Sequence, residues 1–186
     1  MSAVSRAPRP PSLVCILGAE STGKTTLARG LASHFDCPWV SEYLRQFCDA
    51  NGRTPTAHEQ SMILQTQRQN EIVVQRDASQ RASRFVFCDT APLLTAIYSN
   101  FVFGDSTLYA LARTLHANYA LTLLLEPDIA WVADGVQRDG AQVRGPITEL
   151  IRRELANLKA PQAAVSGHGE QRMVAALNAI AAMDFR

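Results

Sequence analysis

Residues 16–30 read ILGAESTGKTTLARG, and the spacing inside that stretch constrains the chain more than any other feature. Gly18 is followed by four residues and then by Gly23-Lys24-Thr25, directly after the apolar run Leu13 to Leu17. Glycines let the backbone turn tightly and bring its N–H groups close to phosphate oxygens. A helix opening near Lys24 adds the positive end of its dipole. The pattern G-x-x-x-x-G-K-[ST] therefore predicts a phosphate cradle between a buried strand and a helix.

The candidate nucleotide contacts are Gly18, Ala19, Glu20, Ser21, Thr22, Gly23, Lys24, Thr25 and Thr26. In such a cradle Lys24 reaches the β- and γ-phosphates, and Thr25 offers its hydroxyl to Mg²⁺. ATP and Mg²⁺ are thus the expected cofactors.

The rest of the chain alternates short apolar runs with helical spacings. A helix is predicted over Thr25 to Phe35, a short strand at Trp39-Val40 and a helix from Glu42 to Cys48. Thr56-Ala-His-Glu59 matches a capping box and opens a long glutamine-rich helix to about Ala82. That helix offers a polar face, either solvated or a partner surface. Strands follow at 84–90, 119–127 and 163–167, with helices over 93–102, 107–116, 148–159 and 170–183. Residues 128–146 carry Gly135, Gly140 and Gly145 without a clear period and read as a loop-rich segment. The expected fold is α/β: a P-loop NTPase fold with a parallel sheet of about five strands flanked by helices, of the nucleoside/nucleotide kinase type. Residues 1–11 read as a disordered tail and 12–186 as one kinase domain.

The balance of 18 basic against 17 acidic residues leaves a net charge of +1, which provides no basic field for nucleic acid. No apolar run approaches the roughly 18 residues of a membrane span. Cys15, Cys37, Cys48 and Cys88 show no C-x-x-C spacing, which fits reduced thiols and a cytoplasmic location. The oligomeric state is left open, a homo-oligomer included.

Phosphoryl transfer needs a carboxylate beyond the cradle. Asp89 ends the apolar strand FVFCD, where parallel sheets bind ligands, so it is a candidate for the magnesium side or for the base. The alternative is an N-cap for the helix entered at Pro92, which Thr90 fills equally well. Glu42 follows the short strand and can accept a substrate proton or hold a ribose. Arg45, one turn on, can contact phosphate or simply pair with Glu42 at the surface. Arg138 and Arg144 lie in the glycine-bearing stretch and can close over the phosphates. Trp131 and Tyr98 can stack on a flat cationic ring, or pack in the core. The four histidines are scattered and take no part.

Four stretches, GAESTGKTTL, VSEYLR, FCDTAPLLTAIYS and PDIAWVADGVQR, lie in order over residues 18–138. Together they resemble the ribosylnicotinamide kinase domain of the NadR-like P-loop family. The resemblance implies ATP-dependent phosphorylation of the 5′-hydroxyl of nicotinamide riboside to nicotinamide mononucleotide, by a stand-alone kinase. It implies ATP on Gly18 to Thr25, Asp89 in the strand-end carboxylate motif, and Trp131 near the nicotinamide. Arg138 is the basic residue after the Asp-Gly pair, and Glu42, Tyr43 and Arg45, in the VSEYLR stretch, are candidate substrate contacts. The chain has Ala91 where the family often has a second aspartate, and Ala130 where it often has proline. The rival readings are a kinase for another nucleoside or small acceptor, and a regulatory ATP-binding switch.

Overall fold

The strand SLVCIL is buried from its second residue onward, because it occupies the middle of a sheet covered on both faces. In the computed structural model, which describes residues 10–132 and 140–183, this strand (β1, Ser12–Leu17) pairs in parallel with β3 (Phe85–Asp89) and β4 (Tyr119–Leu125). β2 (Trp39–Val40) pairs with β3, and β5 (Gln162–Val165) with β4, giving the order β2-β3-β1-β4-β5. All pairings are parallel, so the five carboxyl ends lie along one edge.

Alternation along β1 feeds two cores. Leu13, Cys15 and Leu17 face a cluster with helices α3 (Gln60–Gln80), α4 (Pro92–Phe103), α5 (Tyr109–His116) and α6 (Arg144–Leu158). Val14 and Ile16 face α1 (Lys24–His34) and α7 (Glu170–Met183) together with Phe85 and Phe87. α2 (Tyr43–Asn51) joins β2 to the edge of α3 and ends at Gly52, whose φ of 65° stops the helix. No helix among the described residues is long and apolar enough to cross a membrane.

Three boundaries depart from the sequence expectation. α6 begins at Arg144 instead of Thr148, because Gly145 and Pro146 fall in its first turn, where proline loses no hydrogen bond. The Thr56–Glu59 box forms, but it opens a short 3-10 turn, Ala57–Glu59, before α3 proper. Pro11, placed in the tail by sequence, is buried and its carbonyl accepts Gln75 Nε2 at 2.8 Å. The rest of the expected tail lies outside the described residues.

Candidate active site

The cradle runs from the end of β1 into the first turn of α1. Gly18 sits where a Cβ would be 2.8 Å from Thr22 Oγ1 and 3.0 Å from Leu125 O, so no larger residue fits without displacing backbone. Gly23 adopts φ 82° at the N-cap, the left-handed region that glycine enters freely. Inside the turn, the Thr22 hydroxyl donates to Ala19 O at 2.8 Å, and Lys24 Nζ donates to the same carbonyl at 3.0 Å.

Two buried arginines hold this loop from outside. Arg172 of α7 donates to Gly167 O at 2.7 Å and Glu126 O at 3.1 Å, and also reaches Thr22 O and Asp128 Oδ1. Burial lowers its pKa, against the pull of Asp128. Arg144 does not project from a loop as the sequence suggested. It is the first residue of α6, is buried, and donates to Ile129 O at 2.9 Å and Ser21 O at 3.4 Å. Arg138 lies outside the described residues.

Asp89 ends β3 beside the cradle and is buried. Its Oδ2 accepts the Thr25 hydroxyl at 2.5 Å, while Oδ1 is buried without a hydrogen-bond partner. Burial raises its pKa above the ordinary carboxylate value. Lys24, the Thr25 hydroxyl, Arg45 and Arg29 pull the other way without cancelling it. It does not cap α4: Ala91 holds the N-cap position, with no side-chain cap bond. Next to it, Thr90 has φ 75°, a strained conformation for a β-branched residue, and its hydroxyl is also buried without a partner.

A cleft of about 260 Å³ opens beside Lys24. Glu20, Ser21 and Lys24 form one wall, and Glu42, Leu44 and Arg45 of the β2–α2 corner form a second. Gln60, Ile63 and Gln67 come from α3, Thr90, Leu94, Thr95 and Tyr98 from the β3–α4 unit, and Trp131 from the segment after β4. Trp131 Nε1 donates to Glu20 Oε1 at 3.3 Å, and Val132 N donates to Ser21 Oγ at 2.9 Å. The aromatic side of the cleft is thus tied to the tip of the cradle. Tyr98 lines the cleft while also packing against the neighbouring core.

Glu42 is only 8% exposed and therefore is not part of a solvated surface pair. Tyr43 departs from the expectation: it does not line the cleft, and its hydroxyl contacts Met62 Sδ at 3.7 Å in an exposed position. The sequence reading passed over Gln60, Gln67 and Arg172. The glutamine-rich helix is not polar on a solvated face alone, since Gln60, Ile63, Leu64, Gln67 and Glu71 form one buried stripe. Their spacing of three, four and seven was the available signal. Nothing in the local pattern marks Arg172.

A parallel sheet with this cradle at its carboxyl edge, and a cleft beside it, defines a P-loop α/β protein with the fold of nucleoside and nucleotide kinases. The chain belongs to the AAA domain family, whose profile matches residues 13–172. It is 29% identical over 135 residues to the trifunctional NAD biosynthesis/regulator protein NadR of Salmonella typhimurium, a match covering 70% of this chain and 32% of that protein. The chain therefore spans about a third of the length of that curated relative. Among solved structures it is similar to a NadR protein in complex with NAD and AMP-PNP, with TM-score 0.74 and 21% identity, over 93% of this chain and 49% of that one. A deoxyadenosine kinase from M. mycoides matches with TM-score 0.63 and 12% identity, over 91% of this chain and 99% of that one.

Proposed function

We propose that the protein transfers the γ-phosphoryl group of ATP to the 5′-hydroxyl of nicotinamide riboside, giving nicotinamide mononucleotide and ADP. The observation that supports this reading is the cleft itself. It gathers a phosphate-side lysine, a buried carboxylate, an arginine and two aromatic rings, Lys24, Glu42, Arg45, Tyr98 and Trp131, around one space. A cationic pyridinium ring suits the faces of Trp131 and Tyr98, and the likeness to NadR proteins points the same way.

In the reaction, the O5′–Pγ bond forms as the bond from Pγ to the β–γ bridging oxygen breaks. The hydroxyl proton leaves to a carboxylate. Glu42 lines the cleft, whereas Asp89 does not, so Glu42 takes the proton and Asp89 serves the nucleotide side. The oxygen donors Thr25 Oγ1 and Asp89, with Oδ1 unpartnered, fit Mg²⁺, which binds through one or two protein oxygens beside phosphates and water. When bound, that ion neutralises charge on the β- and γ-phosphates. Lys24 and the loop amides steady the transferring group. Arg45 is placed at the cleft to orient the phosphoryl group or the acceptor.

The test is ADP release from MgATP with nicotinamide riboside, uridine, cytidine, thymidine or no acceptor, with products identified by mass. Nicotinamide mononucleotide formed with matching ADP is the expected result. Phosphorylation of another nucleoside alone moves the substrate assignment, and acceptor-independent hydrolysis alone favours a switch protein.

A further inference from the structure

Glu71, near the middle of α3, is a fully buried carboxylate that the proposed reaction does not use. It accepts the Tyr119 hydroxyl of β4 at 2.6 Å and Arg68 Nη1 at 3.0 Å. The Gln67 side chain, one turn back along α3, hydrogen-bonds it as well. A carboxylate offers these three donors only acceptors, so the Gln67 amide turns its nitrogen towards Glu71. The amide oxygen faces the other way, where Oε1 accepts the backbone N–H of Tyr43 at 2.8 Å. The hydrogen bonds thus run in one direction, from the start of α2 through Gln67 to Glu71. Tyr119 and Arg68 hold the end of that chain. A buried ionic group is a poor device for stability alone, because desolvation offsets the pairing. Burial pushes the Glu71 pKa up, which is the mark of that cost.

Tyr43 is the first residue of α2, and Glu42 is its N-cap with φ −64° and ψ 117°. The first N–H groups of a helix have no partner within it. An N-cap side chain commonly meets one of them, but the Glu42 carboxylate makes no cap bond. Gln67 meets the first of these donors from the neighbouring helix instead. The Tyr43 N–H lies in the same rigid peptide plane as the Glu42 carbonyl, so holding that N–H holds ψ of Glu42. The direction in which Glu42 leaves the backbone, towards the cleft that it lines, is set with it.

We infer that Glu71 is a positioning residue for phosphoryl transfer: it orients the Gln67 amide, which fixes the backbone that carries Glu42 into the cleft. Glu71 does not line the cleft, whereas Gln67 does, so Glu71 acts from the core behind the acceptor wall. This inference rests on the acceptor-kinase reading above, with Glu42 as the base.

The experiment compares wild type, Gln67→Glu, Glu71→Gln and the double exchange on whichever nucleoside the assay above identifies as acceptor. kcat is expressed per MgADP-binding site, so unfolded protein does not count. Gln67→Glu keeps an oxygen for the Tyr43 N–H but sets two carboxylates against each other in the core. Its kcat is expected to fall roughly 10²-fold, the scale of a small misplacement of a catalytic group, with the KM for ATP unchanged. Glu71→Gln leaves one oxygen for three donors and should lose less, about tenfold. The double exchange has an acceptor at position 67 for the Tyr43 N–H. At position 71 it has an amide that donates to that acceptor while its oxygen serves Tyr119 and Arg68. It should recover kcat above both single variants, to within about threefold of wild type. Should Gln67→Glu not fold, Gln67→Met removes the acceptor without adding charge, and the same loss of kcat is expected. A purely structural role for Glu71 moves the melting temperature and leaves kcat per site alone. Wild-type kcat per site in the single variants, an equal rise in both KM values, or a loss that the double exchange does not recover overturns the inference while the kinase reading stands. Phosphorylation of no nucleoside by wild type overturns both.

Discussion

The two halves of the site are built in opposite ways. The phosphate cradle is a single run of chain, Gly18 to Thr25, whose chemistry resides mostly in backbone N–H groups and in one lysine. Apart from the wall it shares with the cradle at Glu20, Ser21 and Lys24, the proposed acceptor cleft has no such continuity: its other walls come from the β2–α2 corner, α3, the β3–α4 unit and Trp131, spread from Glu42 to Trp131. A contiguous cradle is dictated by local geometry, so a short pattern specifies it. A cleft of side chains is dictated by packing, so a small change in any of four elements alters what fits. On the proposed reading, phosphoryl transfer belongs to the first half and substrate choice to the second.

The largest expected effect lies in the cradle. On the proposed reading, Lys24→Ala removes a charge that follows the transferring phosphoryl group. It should lower kcat on the order of 10²–10³-fold or more. The side chain's partner here is a loop carbonyl, Ala19 O, so the far-ultraviolet circular dichroism and melting temperature should change little. A variant with wild-type turnover would falsify the assignment of the cradle to catalysis and break the comparison at its root.

Next come the two carboxylates, whose replacements should separate the halves. Glu42→Gln is expected to lower kcat by about 10²–10⁴-fold with ATP affinity unchanged, as for loss of a general base. Asp89→Asn should instead weaken MgATP binding, because Asp89 is bonded to Thr25 and not exposed to the cleft. It should also stabilise the protein. Burial raises the Asp89 pKa, so the folded state binds its proton more tightly than the unfolded chain does. Stability then falls as pH rises from the ordinary aspartate value through the folded one, and that cost persists at neutral pH. Removing the charge relieves it, and the melting temperature at pH 7 should rise. Titration of nucleotide affinity and melting temperature for both variants decides this. An Asp89→Asn enzyme with normal MgATP affinity and a collapsed kcat would exchange the two roles.

How far the sequence foretold these features follows the same division. Gly18, Gly23, Lys24 and Thr25 were legible because a tight, phosphate-facing turn admits few residues at those positions. Asp89 was legible because it ends an apolar strand on the carboxyl edge of a parallel sheet. Gln60 and Gln67 were not, since a glutamine in a helix reads as solvated until the neighbouring helix that covers it is known. Arg172 lies 150 positions from the Thr22 carbonyl it holds, a contact no local period encodes. Arg144 reads as a loop residue because 128–146 carries Gly135, Gly140 and Gly145 with no clear period, yet Gly145 and Pro146 both fit a first helical turn. Tyr43 was drawn to the site by its neighbours in the motif, but helical geometry turns it away from Glu42's side of the cleft.

The smallest expected effect sharpens the comparison at the foot of α3, the helix that carries Gln60 and Gln67 into the cleft. There the Glu59 carboxylate accepts the Thr56 N–H at 2.8 Å and the Thr56 hydroxyl at 2.9 Å, and pairs with Arg53 at 2.7 Å. The Arg53 guanidinium, and then Thr56, hold the Glu59 pKa down at about 2, against 4.5 in an ordinary glutamate. With a depressed folded pKa, the stabilisation is present above 4.5 and is lost as pH falls towards about 2. Melting temperatures of wild type and Glu59→Gln should therefore differ slightly at neutral pH and converge across that window. The group is exposed and salt screens it, so the difference should also shrink at high ionic strength. Because the box sits at the acceptor end, the same variant should raise the KM for the acceptor modestly and leave the KM for ATP alone. An equal rise in both would mean that α3 supports the cradle as much as the cleft, and that the two halves are one mechanical unit.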